Sequence, residues 1–178
     1  MSHVLLTGLP GVGKTTLIRE LGKRLADLHP AGFYTEEIRE EGIRKGLRFE
    51  SLGGRHLTLA HSDRKGPHRV GRYGVDTAGF ERLLSDLNLP RSPSCVIIID
   101  EIGKMECLSK LFTEEVRSLL DSSKTVIATI ALKGDGFIRK VKQRSDCCLI
   151  TVTVENRNGL ADSLFNEVLK QIRNGYSR

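Results

Sequence analysis

A glycine-rich stretch close to the start of the chain carries the clearest chemical signal in the sequence. It combines glycines with a lysine and two threonines in the order Gly8-Leu9-Pro10-Gly11-Val12-Gly13-Lys14-Thr15-Thr16. Glycines let the backbone curl so that successive N–H groups point at one anion, and the positive end of a following helix faces the same anion. The spacing Gly-x-x-x-x-Gly-Lys-Thr, between an apolar run and a helical segment, therefore predicts a loop that binds phosphate groups.

Two side chains at the end of this loop have predicted chemical roles. Lys14 can bridge the β- and γ-phosphates of a nucleoside triphosphate, and the Thr15 hydroxyl can bind Mg²⁺. We predict that Lys14 is catalytic, that Thr15 is a metal ligand, and that residues 8–16 contact the nucleotide.

A pair of acidic residues follows an apolar run in the second half of the chain. Asp100 and Glu101 come directly after Val96-Ile97-Ile98-Ile99. A strand that ends in a carboxylate places the acid at the carboxyl edge of a parallel sheet, where ligands of open α/β folds bind. A strand followed by two acids is, taken alone, most often a chain that returns to solvent. Because a phosphate loop is also present, we predict that both acids contact the nucleotide. Asp100 would hold the metal ion through a water, and Glu101 would orient or deprotonate the attacking water.

Four further residues have two open interpretations each. Lys104 is three positions past the predicted base, where it would act as a catalytic charge near the γ-phosphate or lie exposed at a helix cap. Arg157 and Arg72 are candidates for contact with the nucleotide or for surface ion pairs. Thr129 would either bond the γ-phosphate or simply end a strand.

The positions of apolar residues and turn formers predict the elements that hold these residues in place. Periodicity of about 3.6 indicates helices, and short apolar runs bounded by turn residues indicate strands. We predict strands at 3–7, 31–35, 95–99, 125–130 and 148–154, helices at 15–28, 77–87, 109–120, 136–144 and 158–172, antiparallel hairpins around 38–60, and an exposed loop at 61–72. Helices that alternate with apolar strands indicate an α/β fold with a mostly parallel central sheet covered on both faces, here with an inserted antiparallel β region.

Length and composition narrow the class of protein further. The chain has 178 residues and a net charge of +6, and we predict a single domain over residues 1–178. Apolar runs are far shorter than the roughly 20 residues needed to cross a bilayer, and no signal peptide is evident, so we predict a cytoplasmic protein with no membrane contact. The basic residues are interleaved with acidic ones, which leaves a nucleic-acid surface and a solvated mixed-charge surface both open.

Five segments together resemble a known family. The family is that of the small P-loop nucleoside triphosphatases first known from thermophiles, which has a human cancer-related member. The chain is similar to it in the phosphate loop, Gly32-Phe33-Tyr34-Thr35-Glu36-Glu37, Gly71-Arg72-Tyr73-Gly74-Val75, Asp100-Glu101-Ile102-Gly103-Lys104-Met105-Glu106 and Glu155-Asn156-Arg157. The resemblance implies a three-layer RecA-like fold, Mg²⁺ as cofactor, and slow hydrolysis of ATP, GTP and other nucleoside triphosphates to diphosphate and phosphate. Broad base tolerance is also expected, because the predicted site residues address phosphate and metal and not the base.

Two other functions use the same loop, metal ion and carboxylate. A nucleotide or polynucleotide kinase would transfer the phosphate to an acceptor instead of water, although no acceptor site is evident and residues 61–72 are the single candidate for a lid. A nucleotide-dependent switch or binding module would use slow hydrolysis to time its contact with a partner. The sequence alone does not separate these three functions.

Overall fold

The computed structural model describes residues 3–175 and contains nine strands and five helices within them. In chain order these are β1 His3–Thr7, α1 Lys14–Arg24, β2 Ala31–Glu40, β3 Ile43–Ser51, β4 His56–His61, β5 Arg69–Val70, β6 Tyr73–Val75, α2 Thr77–Leu87, β7 Val96–Ile102, α3 Lys110–Leu120, β8 Thr125–Ile130, α4 Phe137–Lys142, β9 Cys147–Thr151 and α5 Arg157–Gly175. Short 3₁₀ turns lie at Ala26–Leu28, Leu89–Arg91 and Glu106–Leu108. Among these elements no helix is long and apolar enough to span a bilayer.

All nine strands form one mixed sheet in the order β5-β6-β4-β3-β2-β7-β8-β1-β9. Pairs among β2, β7, β8, β1 and β9 are parallel, and pairs among β2, β3, β4, β6 and β5 are antiparallel. The predicted α/β class with a parallel core and an antiparallel region is therefore confirmed. The antiparallel region is a sideways extension of the central sheet through β2.

The structure corrects two element boundaries in this extension. The strand predicted at 31–35 continues to Glu40, and the loop predicted at 61–72 includes the short strand β5. The predicted strand ends at 35 and the predicted hairpins begin at 38, so the charged residues Glu36 and Glu37 belong to neither. An antiparallel strand with one solvated face accommodates such charged residues. Glu37 forms an ion pair with Arg44 on the neighbouring strand, with 3.1 Å between Oε1 and Nη1.

Two hydrophobic cores cover the two faces of the sheet and produce three layers. On one face, α1 and α5 pack through Leu17, Ile18, Leu21, Leu164 and Val168 against Val4, Leu6, Ile98 and Ile127. On the other face, α2, α3 and α4 pack through Phe80, Leu84, Phe112, Val116, Ile138 and Val141 against Leu5, Ile97, Ile99 and Ala128. Strands buried on both faces read as continuous apolar runs, which is why β7 was recognisable from sequence.

A cluster of four phenylalanines joins the parallel and antiparallel parts of the sheet. Phe33 on β2 lies 4.2 Å from Phe49 on β3, and Phe80 lies 5.4 Å from Phe49 and 5.6 Å from Phe112, measured between ring centroids. Beside Phe33, Gly32 has φ +135° and a Cβ there would overlap the carbonyl oxygen of Ile98. Only glycine permits β2 to approach β7 this closely at that φ.

His3, at the start of β1, gives a prediction about stability. Its side chain is 1% exposed, Nδ1 accepts a hydrogen bond from the Val126 N–H at 3.2 Å, and Nε2 lies 3.0 Å from the Leu120 carbonyl oxygen. This pairing requires a neutral ring, with the proton on Nε2. Burial lowers the pKa of His3 below its ordinary 6.5, so below that pH the unfolded chain binds a proton that the folded chain does not.

We therefore expect wild-type unfolding free energy to fall as pH decreases below 6.5, with a contribution from His3 of at most about 1.4 kcal/mol per pH unit. Urea unfolding at several pH values should show a steeper decline for wild type than for His3→Gln. The exposed His56→Gln variant should follow wild type. Parallel pH profiles of wild type and His3→Gln would contradict the assignment.

Candidate active site

The loop between β1 and α1 lies at the carboxyl end of the parallel strands. Gly8 is buried with φ +148°, and a Cβ there would be 2.5 Å from the Val152 carbonyl oxygen. Gly13, at φ +109°, is the N-cap of α1, and within residues 3–175 it provides no side-chain cap to the first-turn N–H groups. The backbone amides of that turn are therefore available to an anion.

The Lys14 ammonium group lies across the mouth of this loop. Its Nζ donates hydrogen bonds to the carbonyl oxygens of Gly8 and Leu9 at 3.1 and 3.2 Å. Leu9, Pro10 and Gly11 are exposed at the tip, Val12 is buried beneath it, and Thr16 is exposed on α1. The loop thus places one cation directly beside its free amides.

Asp100 is buried at the end of β7 and is bonded from three elements. Its side chain is 1% exposed, Oδ1 accepts from the Thr129 hydroxyl on β8 at 2.5 Å, and Oδ2 lies 3.5 Å from the Thr35 N–H on β2. Burial raises the pKa of Asp100, whereas hydrogen bonds from Thr129 and from Thr15 of the phosphate loop act to lower it. Thr15, one of the two predicted metal-binding residues, therefore lies close enough to Asp100, the other, to affect its pKa.

Glu101 is the next residue, and the peptide bond between Asp100 and Glu101 is cis. Burial raises the pKa of the Glu101 carboxyl, the charge of Lys14 opposes that rise, Asp100 adds to it, and Arg44 and Lys142 oppose it further. Lys14 comes from the phosphate loop, Arg44 from β3 and Lys142 from α4. The predicted base is thus close to the lysine that would hold the γ-phosphate, and it is surrounded by cations from three separate elements.

Glu106 is a buried acid beside Glu101 for which the sequence predicted no role. The Oε2 atom of Glu106 and the Oε1 atom of Glu101 lie 2.6 and 3.3 Å from the position that a Cβ on Gly103 would occupy. Burial, reinforced by the charge of Glu101, raises the pKa of Glu106 to about 8. In the sequence, Glu106 is an acid between Met105 and an apolar segment. That pattern does not indicate that its side chain lies beside the predicted base.

The four residues left open from sequence lie in different places. Lys104 is exposed on the turn after β7, and it is not among the charged groups that act most strongly on Glu101. Thr129 bonds Asp100. Arg157 donates to the Val12 carbonyl oxygen at 3.2 Å, which connects the start of α5 to the phosphate loop. Arg72 donates to the carbonyl oxygen of Arg44 at 2.5 Å.

Side-chain hydrogen bonds within a tight turn explain the Glu155-Asn156-Arg157 segment in physical terms. The Asn156 side chain accepts from the Thr153 N–H at 2.8 Å and donates to the Thr151 carbonyl oxygen at 2.9 Å. Asparagine suits this position because its side chain substitutes for backbone partners in a tight turn. The turn fixes the position from which Arg157 reaches the phosphate loop.

A glycine loop on a free helix N-terminus, a lysine across it and a buried threonine–aspartate contact at the edge of a parallel sheet together define a P-loop nucleotide-binding protein. The comparisons with known proteins identify the family. The family model described as NTPase matches residues 3–169, and the chain belongs to this family.

Named relatives agree with that assignment. The nucleoside-triphosphatase THEP1 of Thermotoga sp. (strain RQ2) is 43% identical over 171 residues, which cover 96% of this chain and 95% of the relative. The human cancer-related nucleoside-triphosphatase is 40% identical, over 89% of this chain and 92% of the human protein. The crystal structure of THEP1 from Aquifex aeolicus has a TM-score of 0.84 at 33% identity and covers 93% of this chain and 98% of that one. The predicted fold class and the predicted nucleoside-triphosphatase family are both confirmed.

Proposed function

We propose that this protein hydrolyses the terminal phosphoanhydride of ATP, GTP and other nucleoside triphosphates, with Mg²⁺ as cofactor and a slow turnover. The observation that carries the proposal is the position of two acids at the phosphate loop: Asp100 lies close enough to Thr15 to be affected by its hydroxyl, and Glu101 lies within electrostatic reach of Lys14. Family membership supports the same activity.

The residues present fit a magnesium ion. Mg²⁺ prefers hard oxygen ligands and usually retains several waters, so that it needs only one or two protein groups besides the phosphates. The Thr15 hydroxyl and the carboxylate of Asp100 supply that set. The buried carboxylate is held by the Thr129 hydroxyl on one neighbouring strand and the Thr35 N–H on the other. Mg²⁺ bound there would neutralise charge on the β- and γ-phosphate oxygens.

The proposed reaction assigns one task to each side chain. The backbone amides of residues 8–16 and Lys14 bind the phosphates, and Glu101 accepts a proton from the attacking water. The water oxygen forms a bond to the γ-phosphorus as the bond from that phosphorus to the bridging oxygen breaks. The electron pair of the broken bond stays on the nucleoside diphosphate, and inorganic phosphate leaves.

The surroundings of the loop support weak discrimination among bases. Leu9 is an exposed apolar group at the tip of the phosphate loop, 66% exposed, and could contact a base. A base held by apolar contact and stacking is sorted within roughly 1–3 kcal/mol, whereas strong selectivity needs polar groups that the wrong base leaves unpaired.

The test is a product assay with ATP, GTP, CTP and UTP at fixed Mg²⁺. We expect free phosphate from all four nucleotides and kcat/KM values within about tenfold of one another, the lower end of the discrimination that shape alone supplies. The assay is repeated with RNA, DNA and nucleoside monophosphates as possible acceptors or activators. A hundredfold preference for one nucleotide would contradict broad tolerance, and phosphate recovered on an acceptor would show a kinase.

A further inference from the structure

The hairpin of β2 and β3 extends past the carboxyl edge of the parallel strands, beside Glu101. Pairing between β2 and β7 ends at Phe33 and Ile99, whereas β2 continues to Glu40 and turns back into β3 at Ile43. The residues near the hairpin turn therefore lie on the side of the sheet edge where the phosphate loop and the two acids meet.

Arg44 is held firmly within this hairpin. Its Nη1 donates to Glu37 Oε1 at 3.1 Å, and its guanidinium carbon lies 5.4 Å from the centroid of the Tyr73 ring. Its carbonyl oxygen accepts from Arg72 at 2.5 Å and from the Tyr73 hydroxyl at 3.2 Å. Both the backbone and the side chain of Arg44 are thus fixed by groups from β2 and β6.

The Arg44 guanidinium retains donor capacity despite these contacts. Its Nε atom is buried and makes no hydrogen bond within residues 3–175, which is costly for a polar donor unless a ligand group completes the pairing. The positive charge of Arg44 opposes the burial-driven rise in the pKa of both Glu101 and Glu106. Arg44 therefore lies within electrostatic reach of the predicted base, and its Nε donor has no hydrogen-bond acceptor within residues 3–175.

We propose that Arg44 is a catalytic residue that donates to the transferring phosphoryl group in the transition state, as an arginine supplied in cis by the β2–β3 hairpin. The proposal rests on the hydrolytic function proposed above. Charge spreads over the phosphoryl oxygens as the γ-phosphate transfers, and a guanidinium within electrostatic reach of the base can donate to those oxygens as that charge develops.

The other arginines near the site have different partners. Arg72 donates to the Arg44 carbonyl and to the Tyr73 hydroxyl, with its guanidinium over the Tyr73 ring at 5.1 Å. It therefore positions Arg44. Arg157 donates to Val12 beneath the phosphate loop. The two arginines that sequence suggested thus support the hairpin and the loop.

Arg39 provides a matched control for the test. It lies opposite Arg44 in the β2–β3 register and pairs with the other oxygen of the same carboxylate, Glu37 Oε2, at 2.6 Å. Its side chain is 56% exposed, against 34% for Arg44. Loss of either arginine removes one ion pair to Glu37, but of the two it is Arg44 that is among the charges acting most strongly on Glu101.

The experiment compares wild type with Arg44→Ala, Arg44→Lys and Arg39→Ala. We expect Arg44→Ala to lower kcat by about 10²-fold or more, the range seen for arginines that act on a transferring phosphate, with nucleotide Kd within about threefold of wild type, because the contact forms in the transition state. Arg44→Lys should recover only part of that loss, since one ammonium replaces a planar fork. Arg39→Ala should keep wild-type kcat within about twofold, as expected for an exposed ion pair.

Two further measurements distinguish direct contact from a structural role. Millimolar guanidinium should restore part of the kcat of Arg44→Ala and leave Arg39→Ala unchanged. Arg44→Ala should also lose binding of ADP with aluminium fluoride while it retains ADP binding, because the fluoride complex imitates the transferring phosphoryl group. Equal losses in Arg44→Ala and Arg39→Ala, no rescue, or retained fluoride binding would overturn the proposal. Absence of phosphate release by wild type would instead contradict the hydrolytic function itself.

Discussion

Replacement of Lys14 by alanine is expected to abolish nucleotide hydrolysis. The Nζ atom lies across the phosphate loop, 3.1 Å from the Gly8 carbonyl oxygen, and it is the cation with the largest effect on Glu101. Its removal takes away the charge that would bridge the β- and γ-phosphates next to the base. Loss of one such donor from a preorganised site costs about 3–4 kcal/mol in the transition state, and a full charge is expected to cost at least that much.

Steady-state phosphate release at saturating ATP or GTP measures this effect. Lys23→Ala is the matched control, because Lys23 lies exposed in the last turn of the same helix and should leave the rate unchanged. If Lys14→Ala kept more than about a tenth of the wild-type rate, the loss would be under about 1.4 kcal/mol. That result would be incompatible with the assigned role of the loop.

The two adjacent acids should give phenotypes that differ in kind. In Asp100→Asn an amide replaces a buried carboxylate that accepts from Thr129 and Thr35, so an N–H₂ group faces donors and the link to Thr15 weakens. We expect Mg²⁺-dependent nucleotide binding and turnover to decline together. Glu101→Gln removes the proton acceptor but retains its shape, and should lower kcat by about 10²-fold or more with binding nearly intact.

Nucleotide Kd by calorimetry and kcat by phosphate release separate the two outcomes. Thermal unfolding of each variant shows that the fold is retained, and Glu36→Gln, at an exposed position on β2, is the control for removal of one glutamate charge. Equal losses of nucleotide affinity in Asp100→Asn and Glu101→Gln would mean that the metal partner and the base have been assigned incorrectly.

Local signals explain which parts of the fold were predictable. The helix α2 was predicted with its observed bounds because both ends are defined by nearby residues. Asp76 accepts from the Gly79 N–H at 3.0 Å at the start, and Asn88 takes a left-handed conformation at the end. Caps of this kind act within one turn, so sequence spacing alone reveals them.

The phosphate loop was predictable for the same reason, whereas three groups around Glu101 were not. Arg44, Lys142 and Glu106 reach the predicted base from β3, α4 and the turn after β7. Their proximity depends on how strands far apart in sequence are ordered in the sheet. A single sequence contains no periodicity that reports such a juxtaposition, and each residue taken alone reads as an ordinary surface charge or turn residue.

The length of β2 was missed for a related reason. The strand was predicted to end at 35 and the hairpins to begin at 38, but in the folded chain Glu36, Glu37 and Glu40 all lie across from β3. There, Arg44, Lys45 and Arg48 provide ion pairs to them. The pairing partner makes an extended conformation favourable, and that partner is identified only by the tertiary structure.

The continuity of β2 also limits how this enzyme can be reduced in size. Residues Ala31 to Phe33 pair with β7, and residues Phe33 to Glu40 pair with β3, so one strand belongs to both parts of the sheet. Excision of the antiparallel part would expose Phe33 and Phe80, and it would leave an unpaired strand edge, which promotes aggregation. A minimal catalytic core cannot be obtained by trimming at that boundary, and engineered versions must retain β3 or supply a new strand in its place.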